Sequence, residues 1–176
     1  MPSFFILVPF FLLVFINIPF RNISKYCYFW APAFLFLVQT CLVAFHPLLF
    51  WSVYPDPFGA FFSFGLSVDN LSLIALFCIG LVALISIMVS RATVEDTRKR
   101  FYFVNLILIS VIGMNTAVLS TDIFSLYVFI EITALASFLL IGIFRDKFGI
   151  EAAFKYMILS SMATVFMLSS IGLFIL

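Results

Sequence analysis

Apolar residues are grouped along the chain into six long segments, and most polar and charged residues lie between them. A helix needs about 20 apolar residues, within a range of roughly 17 to 25, to cross the hydrocarbon core of a bilayer. The pattern therefore predicts an all-α, polytopic membrane protein with about six transmembrane helices in a single domain over residues 1–176. The helices are predicted near residues 4–20, 28–51, 71–90, 101–119, 123–144 and 152–176.

The composition supports a membrane protein and excludes several other classes. Hydrophobic residues make up 65% of the 176 positions and charged residues 10%, whereas soluble domains are about half apolar and a quarter charged. A net charge of +1 gives no sign of a nucleic-acid partner. The three cysteines lie in or beside apolar segments without a C-x-x-C motif, so neither a disulfide framework nor a metal site is predicted.

The basic residues predict an orientation, because Lys and Arg accumulate in cytoplasmic loops. All nine lie on one side of the predicted topology, between segments one and two, three and four, or five and six, the last just inside segment six. Both termini are therefore predicted on the outer side of the membrane. The nine residues are Arg21, Lys25, Arg91, Arg98, Lys99, Arg100, Arg145, Lys147 and Lys155.

One acidic residue, Glu131, lies well inside an apolar segment, whereas the other seven lie in loops or near helix ends. At 1.5 Å per residue, it lies about 12 Å from the outer end of its segment and about 20 Å from the inner end. Ionisable residues at such depth usually face a bundle interior or a hydrated cavity and are functional. Glu131 is therefore predicted to carry protons. The alternative is a protonated side chain that only packs helices together through a hydrogen bond.

Two further residues are candidates for the same site. Tyr127 precedes Glu131 by one helical turn, so its hydroxyl group could hydrogen-bond the carboxyl group. Lys155 lies about 9 Å inside the inner end of helix six, counted from Gly149 at 1.5 Å per residue. Snorkelling of its side chain to the inner surface explains this position. The alternative is a relay on the cytoplasmic side that reaches Glu131 through water, because the depths of the two residues differ by about 11 Å.

Three stretches resemble the antiporter-like membrane subunits of respiratory complex I, energy-converting membrane-bound hydrogenases and Mrp-type sodium/proton antiporters. They are "FGLSVDNLSLI" (residues 64–74), "STDIFSLYVFIEITALASFLLIG" (residues 120–142) and "EAAFKYMILSSMATVFMLSSIGLFIL" (residues 151–176). The resemblance covers about two thirds of the chain and suggests the N-terminal part of such a subunit. It implies that Glu131 corresponds to the family's fifth-helix glutamate in the proton path, and Lys155 to the lysine that opens the sixth helix.

The chain departs from the family pattern at two points. Ile130 stands where members often have an aromatic residue, commonly Trp. In the family, the glutamate works with a lysine on a broken seventh helix, and this sequence has six predicted segments and no lysine at the depth of Glu131. The expectation is a split subunit completed by another polypeptide, or a reduced homologue that does not pump by itself.

These observations predict a proton, or sodium/proton, translocation subunit of a multisubunit complex in the prokaryotic cell membrane. Glu131 would work with a lysine from a partner chain. The expected partners are lipid and other integral membrane subunits, including one that supplies the remaining antiporter-like helices and lysines. The chain is expected to hold no cofactor and not to be catalytic by itself, although its complex could be an NADH dehydrogenase-like or hydrogenase-like oxidoreductase, or an antiporter. The alternative is a structural or assembly subunit of the same kind of complex that does not pump.

Overall fold

The computed structural model of the chain describes residues 2–17, 27–45, 65–144 and 146–175. These residues form six α-helices, with a 3₁₀ turn, Gly142–Phe144, after the fifth. The predicted ends of the first two helices, at residues 18–20 and 46–51, lie outside the described residues. The helices are α1 (Phe4–Asn17), α2 (Cys27–Ala44), α3 (Asn70–Thr93), α4 (Thr97–Leu119), α5 (Ile123–Ile141) and α6 (Lys147–Ile175).

Each of the last four helices is preceded by an aspartate, a residue type that favours helix starts because its carboxylate can accept hydrogen bonds from free backbone N–H groups. The Asp96 carboxylate accepts from the N–H of Arg98 at 2.9 Å, at the start of α4. The Asp146 carboxylate accepts from the N–H of Gly149 at 3.2 Å, at the start of α6. Helix α6 therefore begins at Lys147, five residues before the predicted start at residue 152.

Helices α1 to α4 form the compact part of the bundle, and α5 and α6 lie at its edge. Helix α2 packs on α3, α4 packs on α1 and α3, α5 packs on α4, and α6 packs on α5. The core of the compact part contains Phe36, Ile87 and Leu108, none of which is exposed. In the most apolar stretch of α4, 44% of the residues are buried, compared with 6% in α5 and in α6. One face of α5 and most of α6 are therefore available to lipid or to other chains.

The prediction of an all-α membrane protein is confirmed within the described part of the chain. Its four longest helices, α3 to α6, are long and apolar enough to cross a membrane, and α1 and α2 are shorter apolar helices. Among the described residues, β pairing is limited to one isolated bridge between Leu66 and Ser120, which ties the segment before α3 to the turn between α4 and α5. The outer location of both termini stays a prediction.

Gly113 lets α4 and α5 approach each other closely beside the level of Glu131. A Cβ atom at Gly113 would lie 3.1 Å from the carbonyl oxygen of Phe129 and would overlap the Thr133 hydroxyl group. The Gly113→Ala substitution should therefore force the two helices apart and lower the free energy of unfolding by about 1–2 kcal/mol. Unfolding of the purified chain in bicelles, measured by steric trapping, checks this value.

Gly172→Ala is the matched control for Gly113→Ala. A Cβ atom at Gly172, near the end of α6, would have no heavy atom within 4 Å. We expect this substitution to leave stability unchanged or to raise it slightly, because Ala favours helix more than Gly does. If both substitutions had the same effect, close packing at Gly113 would not be the cause.

Asp122 makes the start of α5 sensitive to acid. Its carboxylate accepts hydrogen bonds at 2.9 Å from the backbone N–H and from the hydroxyl group of Ser125. These bonds, with that to the backbone N–H first in importance, hold the pKa of Asp122 below its ordinary value. The stabilisation is present above the ordinary pKa, which is about 4, and is lost as the pH falls through the lowered pKa. The protection of the Ser125 amide against hydrogen exchange should therefore decrease in this acidic range in the native chain. In an Asp122→Ala variant, the protection of the Ser125 amide should not change over this pH range.

Candidate functional site

Glu131 is 11 positions, or about three helical turns, before Gly142, whose Cβ position contacts Ala153 of α6, so the candidate site is on the side of α5 that faces α6. Seven positions on α6 are buried or half-buried, each three or four residues after the one before, and the other described residues of this helix are exposed, apart from Ile175, whose side chain is not described. Because α6 packs on α5 and on the 3₁₀ turn, this stripe marks the face that α6 presents to α5. The stripe consists of Gly149, Ala153, Met157, Ser160, Thr164, Met167 and Ile171.

The two helices are antiparallel, and one close contact gives their register. A Cβ atom at Gly142 would lie 3.5 Å from the Cβ atom of Ala153. Glu131 is 11 positions before Gly142, and Thr164 is 11 positions after Ala153. At 1.5 Å per residue on both helices, Glu131 and Thr164 therefore lie at about the same depth.

The Glu131 side chain is half-buried, and one of its oxygens lacks a partner. Oε2 has no contact with solvent and accepts no hydrogen bond from any described residue. Buried polar atoms in folded proteins nearly always have a partner, so such an atom calls for an explanation. A negative charge on this carboxyl group would need a donor or a cation that the described residues do not supply in this conformation.

Tyr127 and Glu131 lie one helical turn apart on the half-buried side of α5, as the sequence predicts. The Tyr127 hydroxyl group does not donate to Oε2 of Glu131. Its ring instead packs against Phe124, with the ring centroids 6.3 Å apart and the planes tilted by 39°. Tyr127 is thus a neighbour of the carboxyl group rather than its hydrogen-bond partner in this conformation.

Lys155 is separated from Glu131. Its Nζ atom lies 2.5 Å from Oε1 of Glu151, and the two side chains are 70% and 54% exposed. Both residues are outside the stripe of α6 that faces α5. The sequence carried a signal for this pair, because Glu followed four residues later by Lys places opposite charges together on a helix. It was missed because α6 was predicted to begin after Glu151.

An apolar groove beside α5 is on another side of this helix. It has a volume of about 400 Å³ and lies between α1, α4 and α5. Its lining contains no hydroxyl group and no charged side chain, so it is suited to apolar chains rather than to the transfer of protons. The residues that line it are Ile6, Leu7, Phe10, Leu13, Ile109, Ile112, Phe129 and Ile132.

A buried amide pair in the compact part of the bundle was not predicted. Gln39 and Asn115 exchange two hydrogen bonds, from Nε2 to Oδ1 at 3.3 Å and from Nδ2 to Oε1 at 3.2 Å. Gln39 also donates to the carbonyl oxygen of Leu76, and Asn115 to that of Phe5. The pair therefore connects all four helices from α1 to α4. Sequence reasoning could not pair two amides that are 76 positions apart.

Candidate metal ligands are dispersed in the described ranges, 2–17, 27–45, 65–144 and 146–175. In these ranges no three or more His, Cys, Asp and Glu side chains come together in a way that could hold a metal ion. Cys41 and Cys78 are free and exposed.

Comparisons by sequence and by structure both find similarity to subunits of membrane complexes. Residues 120–176, which contain α5 and α6, match the family described as "NADH:quinone oxidoreductase/Mrp antiporter, TM". Over 99 residues the chain is 31% identical to the NADH-quinone oxidoreductase subunit N 2 of Thermodesulfovibrio yellowstonii, and this match covers 53% of the chain and 22% of the relative.

Two longer matches show the extent of the similarity. A protein of Staphylococcus aureus strain Newman, named as antiporter subunit mnhD2, is 30% identical over 157 residues, which are 86% of the chain and 31% of the relative. The fold matches a chain in the membrane-bound sulfane sulfur reductase, an archaeal respiratory membrane complex, with a TM-score of 0.75 and 21% identity, covering 94% of this chain and 35% of the other. The chain thus spans between about a fifth and about a third of the length of these proteins.

Proposed function

Because this chain is related to the antiporter-like membrane subunits, we propose that it is an ion-translocating subunit of a multisubunit complex in the cell membrane. Glu131 takes up and releases a proton within the bilayer. The observation that carries the proposal is the buried Oε2 atom of Glu131, which has no hydrogen-bond partner among the described residues. A group that only held helices together would be expected to have its hydrogen bonds satisfied.

The protonation state of Glu131 depends on what is brought near it. An apolar environment favours the neutral carboxylic acid, and a nearby ammonium group favours the carboxylate. When a partner subunit moves a lysine towards Glu131, the carboxyl group would lose its proton. When the lysine is withdrawn, the carboxyl group would be protonated again. The acid is Glu131, and the base is a lysine on a membrane helix outside residues 1–176.

Lys155 and Tyr127 have secondary roles in this proposal. The ion pair with Glu151 keeps the Lys155 ammonium group on the exposed side of α6, about 12 Å along the helix from Lys147. In this position Lys155 can exchange protons with the cytoplasmic side through water. The Tyr127 hydroxyl group is one turn from Glu131 and can take part if the side chain changes rotamer.

A structural role is the second candidate, and the position of Lys155 favours it. Its ammonium group is paired with Glu151 and is remote from the carboxyl group of Glu131. A subunit of this kind would keep Glu131 permanently neutral and use the exposed surface of α6 to position its neighbours. The two candidates differ in whether ion transport depends on Glu131.

The proposed partner lysine can be tested directly. The full chain is purified in mild detergent with its associated subunits, which mass spectrometry identifies, and each lysine central to a membrane helix of those subunits is replaced by Met. One such substitution should slow proton movement in sealed vesicles about as much as Glu131→Gln does, and combining the two should cause no further loss. If no such substitution affected transport, or if the effects of the two substitutions multiplied, the acid–base pair would be wrong.

A further inference from the structure

We propose that the hydroxyl group of Thr164 on α6 positions the carboxyl group of Glu131 by hydrogen bonding to it. This inference rests on the proposed function of Glu131, and it adds a residue that neither the sequence motifs nor the resemblance assigns to the site. Thr164 is a positioning residue, because it acts on the carboxyl group and not on the transported ion.

The packing of α6 brings Thr164 to the face that meets α5. It is half-buried, within the stripe that runs from Gly149 to Ile171, whereas both neighbouring residues, Ala163 and Val165, are exposed. The contact between Gly142 and Ala153 places it at the depth of Glu131. Thr164 is therefore the hydroxyl-bearing residue of the stripe that is closest in depth to Glu131, since Ser160 lies one turn nearer the start of α6.

The hydroxyl group of Thr164 has a bond that it can exchange. Oγ1 donates to the carbonyl oxygen of Ser161 at 3.0 Å within the same helix. Thr side chains in helices divide between two rotamers because this bond to the preceding turn is optional. Rotation about χ1 would exchange the backbone acceptor for a carboxylate across the interface. The orphaned Oε2 atom of Glu131 offers such an acceptor.

Other hydroxyl groups beside Glu131 are less suitable. The Thr133 hydroxyl group donates to the carbonyl oxygen of Phe129 and lies where a Cβ atom of Gly113 would be, so it faces α4. The Ser137 hydroxyl group donates to the carbonyl oxygen of Thr133 on the same helix. Thr133 is therefore on the α4 side of α5, and Ser137, six positions from Glu131, lies about 120° around the helix from it, which leaves the α6 side to Thr164.

The charged groups on the elements packed against α5 are far from this position in the described structure. Those of α4 are in its first turn, and those of α6 are in its first three turns on exposed positions. The 3₁₀ turn Gly142–Phe144 has none. The exposed Tyr102 and Tyr156 also lie towards the same end of these helices. The charged residues are Arg98, Lys99, Arg100, Lys147, Glu151 and Lys155.

The test uses Thr164→Val, which keeps the shape of the side chain and removes the hydroxyl group, and Thr164→Ser, which keeps the hydroxyl group. In the intact complex, the Val variant should move the pH profile of transport by about one pH unit towards higher pH, because loss of a donor disfavours the carboxylate. It should also shift the infrared C=O band of Glu131, identified as the band that Glu131→Gln removes. The Ser variant should restore both.

Ser169→Ala is the control, because the Ser169 hydroxyl group is on the exposed side of α6 and donates to the carbonyl oxygen of Val165 at 2.8 Å. It should leave the pH profile and the infrared band unchanged. The inference is overturned if Thr164→Val leaves both readouts unchanged, or if Ser169→Ala shifts them equally. The infrared band reports hydrogen bonding to the Glu131 carboxyl group directly, so this outcome is separate from whether Glu131→Gln abolishes transport.

Discussion

The Glu131→Gln variant is expected to assemble into its complex in normal amounts and to translocate protons about 100-fold more slowly than the native protein, a loss typical of removing a proton-transferring group. Gln has nearly the shape of Glu, so the packing between α5 and α6 should be kept. It cannot bind and release a proton, so the step assigned to Glu131 is lost. The measurement is the initial rate of pH change inside sealed vesicles that contain the purified complex.

Glu95→Gln is the matched control for this experiment, because it makes the same chemical change at an exposed position between α3 and α4. We expect it to transport at the native rate. Equal rates for native protein and Glu131→Gln would show that Glu131 is not a proton carrier and would favour the structural subunit. Equal losses in both variants would mean that the effect is not specific to the membrane site.

Asn115→Ala is expected to lower the free energy of unfolding by about 2–3 kcal/mol, because it leaves the buried Oε1 atom of Gln39 without a hydrogen-bond donor. Asn115 is fully buried, and Gln39 is 4% exposed. The substitution also removes the bond to the carbonyl oxygen of Phe5, which connects α4 to α1. Steric trapping of the full chain in bicelles measures the change.

A double-mutant cycle distinguishes the contribution of the hydrogen bonds between Gln39 and Asn115 from the effect of losing side-chain volume. Replacing Gln39 and Asn115 by Leu together should cost less than the sum of the two single substitutions, because no buried amide is then left unpaired. Asn105→Ala on the same helix is the control, and its smaller expected loss reflects the partly buried position of Asn105. Strict additivity of the two Leu substitutions would contradict the proposed pair.

Local sequence patterns account for most of the fold. The apolar segments predicted the six helices, and the aspartates at residues 69, 96, 122 and 146 explain where the last four begin. The start of α6 was predicted too late, because several of its first residues are charged or small and do not belong to the apolar segment that follows. That difference of five residues also hid the ion pair between Glu151 and Lys155.

The candidate site was only partly predictable. The depth of Glu131 follows from counting residues along one helix, so the sequence alone identified it. The pairing of Gln39 with Asn115 and the common depth of Glu131 and Thr164 depend on how separate helices pack. No local pattern encodes these relationships, because each arises from contacts between residues that are far apart in the chain.

The most direct test of the central claim is infrared difference spectroscopy of the complex during turnover. We expect a C=O band of a protonated carboxyl group that appears and disappears as the complex turns over, and that Glu131→Gln removes while Glu95→Gln leaves it. A band assigned to Glu131 that stayed constant while protons crossed the membrane would contradict the claim that this residue takes up and releases them.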